Sequence, residues 1–449
     1  MGLGILGRGL GYTKFLAECG ADLIVTDLKP STVLRSSLQK LRTFKNIRFV
    51  LGEHHLEDFR NRDMIIKSAG VPIDSPYIAE ARKNKIPIEM DVSLFAKLAP
   101  EVMIIGVTGT RGKSMTTALI YEILSAFAKA SARRGKIKDK FWSKKPRVFL
   151  GGNVRGIATL PLLKKIQAGD ILVCELDSWQ LQGFGEAKIS PHISVFTSFM
   201  PDHMNYYGST SLTTSKAMEN YFNDKANIFI YQKKGDVLII RPGVKKLIPK
   251  DLKSELITVN KKNIQGWEFI VPGEHQKENL ACAVEVAKQF NIQIEKIKKV
   301  IKDFKGIEGR LQFLRTYKGI KIYNDNNATT PDATIAGIEA LRGKNKNIIL
   351  ICGGADKGLS LDNFIKVVNK NCKAVVMIPG TGTENLINNY ELRITNEIGR
   401  DFKDVVLKAI KYANKGDIIL FSPAFASFGM FNNEYERNDL FMKIINNLR

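Results

Sequence analysis

One nonapeptide limits what this chain can fold into: Gly106-Val-Thr-Gly-Thr-Arg-Gly-Lys-Ser114. It stands between an apolar run, 102–107, and a helical pattern, 114–128. A strand that passes through a glycine-rich turn into a helix is half of a crossover unit, and such units build parallel sheets covered by helices. The turn also carries chemistry. Small residues let backbone N–H groups approach phosphate oxygens, and the helix N-terminus adds partial positive charge. Lys113 suits the bridging of β- and γ-phosphates, and Ser114 suits a magnesium ion. The strict phosphate-loop pattern asks for glycine at position 107, where this chain has Val107. The shorter Gly-x-x-Gly-Lys-Ser is what remains.

The same alternation recurs on both sides of this turn. With 449 residues the chain exceeds one ordinary core; at roughly 100–200 residues per domain, two to four domains are expected. The first block, 1–98, opens on a glycine-rich run, 2–11, that leads into a helical pattern through Ala17. Strands are predicted over 23–26, 47–51 and 64–67. No strand precedes the glycine run, so this sheet is expected to lack its first strand. The second block, 99–305, adds strands at 171–175, 193–198 and 237–240 and an amphipathic helix at 277–290. The third, 306–449, has strands at 321–323, 348–352, 374–378 and 418–421. Helices alternate with them at 332–341, 361–369 and 401–412. The expectation is α/β throughout: a Rossmann-like N-terminal domain, a central P-loop ATPase-type domain and a Rossmann-like C-terminal domain.

Composition narrows the function classes. No apolar run approaches the ~20 residues of a membrane helix. The five cysteines are far apart and form no Cys-x-x-Cys pair, which suits small core residues in a reducing, cytoplasmic setting. Lys and Arg outnumber Asp and Glu by 68 to 45, a net charge of +23. That surplus attracts polyanions without choosing among nucleic acid, anionic membrane and phosphorylated ligands. Nine Lys or Arg cluster in 129–147, which reads as a solvated loop or, alternatively, a nucleic-acid contact.

Further candidates sit where strands end. Glu175 closes the strand 171–175, and His203 follows 193–198 in Met-Pro-Asp-His-Met-Asn. Functional groups of open α/β sheets gather at the carboxyl ends of strands. A carboxylate, the Ser114 hydroxyl and a neutral imidazole form a donor set for Mg²⁺ beside nucleotide phosphates. In the first block, Gly7 lies in the glycine run and Asp27 near the distance downstream at which a ribose-binding acid is expected. In the third block three small-residue segments follow strands: Asp325-Asn-Asn-Ala-Thr-Thr-Pro, Gly353-Gly-Ala-Asp-Lys357 and Ser422-Pro-Ala-Phe-Ala-Ser427. Together they predict a cleft at one sheet edge.

In this order the motifs resemble the Mur ligases over almost the whole chain. The resemblance rests on Gly-Thr-Arg-Gly-Lys-Ser, Gly-Gly-Asn153, Glu175-Leu-x-Ser-x-Gln-Leu, Asp-His203-Met, Lys225-Ala-Asn-Ile-Phe, Gly-Glu-His275-x-x-Glu-Asn279, Gly309-Arg310, Asn324-Asp325, Gly-Gly-x-Asp-Lys357 and Ser-Pro-Ala-x-Ala-Ser427. The last run points to the family member that adds D-glutamate. The resemblance implies ATP-dependent amide formation on UDP-N-acetylmuramoyl-L-alanine in peptidoglycan precursor synthesis, by a cytoplasmic monomer that binds neither nucleic acid nor membrane. It implies that Gly109, Thr110, Arg111, Gly112, Lys113, Ser114, Met115, Asn279, Arg310 and Asp325 meet ATP. Ser114, Glu175, His203 and Lys225 would hold Mg²⁺, with Lys225 carbamylated, and Lys113, Lys225 and His203 would serve catalysis. Gly7, Asp27, Ser68, Gly70 and Asn153 would meet the sugar nucleotide, and Lys357 and Ser427 the D-glutamate carboxylates.

This chain departs from the family pattern at Met115, where a Thr is usual, at Asn327, where some members have Lys, and at Glu434, often Phe. Lys216 lies in a long His203–Lys225 interval, although the residues flanking Lys225 match the motif better. Another amino-acid ligase of the family and a basic nucleic-acid-binding NTPase are the alternatives. An Asp-Asn-Pro-Arg signature of one such ligase is missing from the third block.

Overall fold

The computed structural model describes residues 1–5, 7–132, 146–202, 204–207, 214–343 and 345–448. His203 and most of the basic stretch 129–147 lie outside them. Two compact units emerge. One holds Met1–Gly266 with Glu278–Ile301; the other holds Trp267–Lys277 with Lys302–Arg449.

The first unit begins with two small parallel pairs. Strand β1 (Leu23–Asp27) pairs with β2 (Ile47–Leu51), and β3 (Ile65–Ile66) pairs with β4 (Ile88–Glu89). The slot between the pairs is filled by the first two residues. The Met1 amine donates to Ile66 O at 2.8 Å, Ser68 N donates to Met1 O at 3.0 Å, and Gly2 N donates to Thr26 O at 2.8 Å. So the expected gap in this sheet is bridged by backbone bonds without a full strand. The glycine run also differs from a plain loop. The first helix spans Arg8–Glu18, so Gly9 and Gly11 lie inside it. A Cβ on Gly9 would collide with the Leu3 carbonyl, and one on Gly11 would sit 2.5 Å from the Ala158 Cβ. These glycines serve close packing; Gly7, at φ 87°, caps the helix.

The core of this unit is a six-stranded parallel sheet, ordered β10-β9-β8-β5-β7-β6. Its strands are β5 (Met103–Thr108), β6 (Val148–Gly152), β7 (Ile171–Glu175), β8 (Ile193–Phe196), β9 (Val237–Ile240) and β10 (Glu255–Thr258). The inner strands β7, β8 and β9 are buried at every position, as expected for a sheet covered on both faces. Ile104, Leu172, Cys174, Phe196, Leu238 and Ile240 line one face against Leu181, Phe184 and Ile228. Helix Lys113–Ala132 lies against β5, β6 and β7.

Residues 1–98 are fastened to this sheet. Both Asp91 carboxylate oxygens accept backbone bonds, from Thr159 N at 2.8 Å and Leu160 N at 2.7 Å. Arg82 pairs with Glu186 at 2.6 Å, and Lys164 pairs with Glu18.

The second unit holds another six-stranded sheet, ordered β11-β12-β16-β13-β14-β15. Its members are β11 (Gln312–Tyr317), β12 (Ile320–Asn324), β13 (Ile348–Gly353), β14 (Cys372–Ile378), β15 (Thr395–Ile398) and β16 (Ile418–Phe421). Only the β11–β12 pair is antiparallel. Alternate residues of β13, β14 and β16 enter two different cores, one with Phe364 and Val368, the other with Val405, Val406 and Phe441. Among the described residues, no helix is long and apolar enough to cross a membrane.

Candidate functional site

The glycine-rich turn follows β5, the strand from which the sheet runs one way to β7 and β6 and the other way to β8, β9 and β10. Ligands of open α/β sheets bind outside the carboxyl ends of strands at such a switch point. Its backbone geometry admits little but glycine at two positions. Gly109 has φ 142°, and a Cβ there would strike the Thr197 hydroxyl. Gly112 has φ 89°, and a Cβ there would land on Asn279 Oδ1. The Thr116 hydroxyl donates to that same oxygen at 3.1 Å.

Two amines meet on one carbonyl of this turn. Lys113 Nζ donates to Gly109 O at 2.9 Å and to Thr110 O at 3.1 Å. Lys225 Nζ donates to Gly109 O at 3.0 Å and lies 4.7 Å from the centre of the Tyr221 ring. Lys225 is 1% exposed. Burial, and then the charge of Lys113, push its pKa down to about 7. Lys216, by contrast, is exposed and pairs with Glu219 at 2.9 Å. Burial beside the turn thus distinguishes the two lysines that sequence left in competition.

Glu175, buried at the end of β7, accepts a backbone bond from Asn153 N at 2.7 Å, so those two candidates are neighbours. Met115 is buried at 2% exposure and packs inward. Ser114 opens the helix beside Lys113. Among the described residues no three His, Cys, Asp or Glu side chains gather as a metal cluster, and His203 lies outside them. The oxygen donors of Ser114 and Glu175 suit a hard cation such as Mg²⁺.

In the N-terminal part, Asp27 is buried with both oxygens engaged: Oδ2 by Gly4 N at 2.7 Å and Oδ1 by Lys29 N at 2.9 Å. Ser68 Oγ bonds Tyr12 Oη at 2.7 Å and donates to Gly2 O. Gly7 approaches Gly156, and Gly70 faces open space.

In the second unit the three small-residue segments leave adjacent strands, β12, β16 and β13. They are tied together: Ser422 Oγ donates to Asp325 Oδ2 at 2.9 Å, Gly353 N to Pro423 O at 2.9 Å, and Ala355 N to Ala426 O at 3.0 Å. The expected convergence on one edge therefore holds. Asp325 also accepts from Leu311 N at 2.9 Å, and burial pushes its pKa up to about 7. Arg310 is half-buried in the turn before β11. Lys357 is exposed and donates to Thr329 Oγ1 at 3.1 Å, while Ser427 is buried. Glu434 begins helix Glu434–Asn446, and its carbonyl accepts from Asn326 Nδ2 at 2.9 Å.

Sequence reasoning missed Arg241 and Arg437. Arg241 directly follows β9, so the strand-end rule that found Glu175 would also have found it. Arg437 is fully buried, donating to Asn326 Oδ1 at 2.9 Å and Asn326 O at 3.0 Å. Its helical surroundings gave no local signal.

Residues 1–89, 107–263 and 309–425 match three family models: the Mur ligase MurD-like N-terminal domain, the Mur ligase middle domain, and the Mur ligase glutamate ligase domain. A UDP-N-acetylmuramoylalanine–D-glutamate ligase of Borreliella afzelii (strain PKo) is 33% identical over 471 residues, covering 100% of this chain and 97% of that protein. The chain belongs to the Mur ligase family. Another relative of the same name, from Roseiflexus sp. (strain RS-1), is 35% identical to this Mur ligase, with 99% and 97% of the two chains covered. Solved structures share the three-domain fold. UDP-N-acetylmuramate-alanine ligase MurC from Thermotoga maritima superposes with a TM-score of 0.60 at 18% identity, covering 99% of this chain and 98% of that one. MurF ligase from the same organism, in complex with ADP, gives 0.57 at 16% identity, with 87% and 95% covered.

Proposed function

We propose that this Mur ligase joins D-glutamate to UDP-N-acetylmuramoyl-L-alanine at the expense of ATP, through an acyl phosphate. The reading is carried by full-length identity of 33–35% to relatives bearing that name. The paired amines at Gly109 support it physically. We assign 1–98 to the sugar nucleotide, 99–305 to ATP and 306–449 to D-glutamate, in a cytoplasmic monomer.

The L-alanyl carboxylate attacks the γ-phosphorus, and the bond to the ADP oxygen breaks. The D-glutamate nitrogen then attacks the acyl carbon, phosphate leaves, and the amine gives up a proton. Positioning and neutralisation of spreading negative charge are the protein's task. The helix N-terminus at Lys113 and Ser114 receives phosphate oxygens, while Thr110 N and Arg111 N hold the turn by donating to Ser198 O at 2.7 Å and Ser198 Oγ at 2.8 Å. Lys113 exchanges its carbonyl partners for phosphate. Ser114, Glu175 and His203 are the proposed holders of Mg²⁺, which when bound supplies further charge neutralisation at the phosphates. A buried amine neutral near pH 7 can add CO₂ and release a proton, so Lys225 is the proposed carbamate. Asn279, Arg310 and Asp325 complete the ATP contacts. Gly7, Asp27, Ser68, Gly70 and Asn153 are assigned to the sugar nucleotide, and Lys357 and Ser427 to D-glutamate.

The test is phosphate release with UDP-N-acetylmuramoyl-L-alanine, ATP and Mg²⁺, screening D-glutamate, L-glutamate, L-lysine and diaminopimelate. D-Glutamate should stimulate release selectively. Stimulation by another amino acid alone would overturn the assignment.

A further inference from the structure

Arg437 is fully buried on helix Glu434–Asn446. Among the described residues no carboxylate forms an ion pair with it, and Glu434, one turn earlier, acts on it only through space. Burial pushes its pKa down to about 10. A cation without a counter-ion stays inside a protein only where hydrogen bonds hold it, and an apolar side chain of similar volume is often no worse for stability. The position therefore asks what a guanidinium does there that an apolar side chain would not.

Its donors go to two of the three small-residue segments of this unit. Nε donates to Asn326 Oδ1 at 2.9 Å and Nη2 to Asn326 O at 3.0 Å, so one side of the fork takes both carbonyls of one residue. Nη1 reaches Phe425 O at 3.5 Å, in the segment that ends at Ser427. Arginine carries only donors, so the Asn326 amide turns its oxygen inward; its Nδ2 then donates to Glu434 O at 2.9 Å. The backbone beside Phe425 is also unusual. Ala424 has φ 64° and is buried, with its N donating to Ala328 O at 2.9 Å. An L-residue takes that conformation against a steric cost, and such strain persists where the surroundings over-determine it, typically at ligand-binding segments. The buried cation and the strained alanine are separate observations that meet on one stretch of chain.

The residues that follow carry the D-glutamate candidates. Ala426 O receives Ala355 N at 3.0 Å, from the loop that bears Lys357, and Lys357 Nζ donates to Thr329 Oγ1 at 3.1 Å, three residues beyond Asn326. A shift at Asn326 or Phe425 therefore passes to Ser427 and Lys357. Asp325 is held separately, by Leu311 N and Ser422 Oγ.

We infer that Arg437 is a positioning residue for the amino-acid substrate, a dicarboxylate, holding the segments after β12 and β16 at the spacing that brings Ser427 and Lys357 to its carboxylates. The inference rests on the reading of 306–449 as the D-glutamate domain. Lysine at 437 has one compact ammonium in place of a planar fork, so it cannot grip both Asn326 carbonyls and Phe425 O together.

The experiment measures kcat and the KM values for D-glutamate, ATP and the sugar nucleotide on the full chain, with a melting curve for each variant. The variants are Arg437→Lys, Arg437→Ala, Asn326→Ala and Arg437→Lys/Asn326→Ala. Arg437→Lys should raise KM for D-glutamate about tenfold, within the range for hydrogen bonds to charged groups. The other two KM values should stay within about twofold, because Asp325 keeps its own bonds. Folded Arg437→Ala should lose more than Arg437→Lys. In the Asn326→Ala background the lysine should cost about threefold or less, since residues in contact are not additive. An unchanged KM for D-glutamate in Arg437→Lys, an equal rise of all three KM values, or the same loss with and without Asn326 would overturn the inference and leave the D-glutamate domain standing. Failure of D-glutamate to stimulate phosphate release by the unaltered chain would overturn the underlying reading as well. Should Arg437→Ala fail to fold, Arg437→Lys carries the test alone.

Discussion

The glycine-rich turn after β5 and the segment after β12 each follow the carboxyl end of a strand in a six-stranded sheet, yet they treat buried charge in opposite ways. At the first, the Lys113 and Lys225 amines converge on the Gly109 carbonyl, two donors on one neutral acceptor. At the second, the Asp325 carboxylate takes one backbone N–H and one hydroxyl. Burial works against charge in both, pushing Lys225 down to about 7 and Asp325 up to about 7. The difference lies in what remains to be satisfied. On the proposed reading the turn would gain by admitting an anion, because the charge of Lys113 works against that of Lys225 and a phosphate would favour both. The carboxylate is already served by its own loops, and a proton relieves it. On the proposed reading the first region is arranged for a ligand; the second is tied into its own fold by Leu311 N and Ser422 Oγ.

The sharpest way to break this contrast is Lys113→Ala. Removing one preorganised charge at a reacting phosphate costs roughly 10²–10³-fold in kcat, and the melting temperature should change little. A variant with near wild-type phosphate release would deny the turn its anion-binding role. Next in size is Lys225→Ala, for which a loss of roughly 10²-fold is expected on the same electrostatic grounds. Wild-type activity should fall in CO₂-depleted buffer and return with bicarbonate, whereas the variant should ignore bicarbonate. Full activity in Lys225→Ala would reject the carbamate.

Gly112→Ala tests the turn's backbone. A side chain at its positive φ costs about 1–2 kcal/mol, and the added methyl would displace Asn279 Oδ1. KM for ATP should rise about tenfold, a loss comparable to one charged hydrogen bond. An alanine variant with unaltered KM would mean that the turn relaxes freely.

The smallest effect is a slope. Folded Asp325 keeps its proton up to about pH 7, whereas unfolded it releases it near its ordinary value of 3.8. Between those values the folded state binds more protons, so this group's stabilising contribution is full below pH 4 and is lost as pH rises through 7. Lys225 acts in the other direction: its folded form sheds a proton near 7, so its burial penalty is relieved as pH climbs from about 7 toward 10.5. Urea midpoints measured across pH 4–7 should decline less in Asp325→Asn than in wild type. Parallel curves would show that Asp325 does not titrate in this window.

Legibility in the sequence followed burial. Strands β7, β9 and β16 are apolar runs enclosed on both faces, and their limits were readable to the residue. Strand β11 was missed because it is a half-exposed antiparallel edge with a register shift between Phe313 and Arg315. Strand β6 was missed because it is short and ends in Gly151-Gly152, residues that carry no strand signal. At the candidate site, Lys113 and Glu175 announced themselves through the loop pattern and the strand end. The link from Arg241 to Asn279 spans 38 residues, and that from Arg437 to Asn326 spans 111. No local pattern encodes such pairings; only the topology brings them together.

The Asp91 carboxylate, receiving Thr159 N and Leu160 N, has a consequence for dissecting this protein. A recognisable family segment is not thereby a separable piece. Expressed alone, 1–98 would bare a buried acid whose partners lie some seventy residues further on, and the remainder would be left with two amide groups lacking their acceptor. Limited proteolysis should therefore spare the join between these segments, and amide exchange at Thr159 and Leu160 should follow the unfolding of both together.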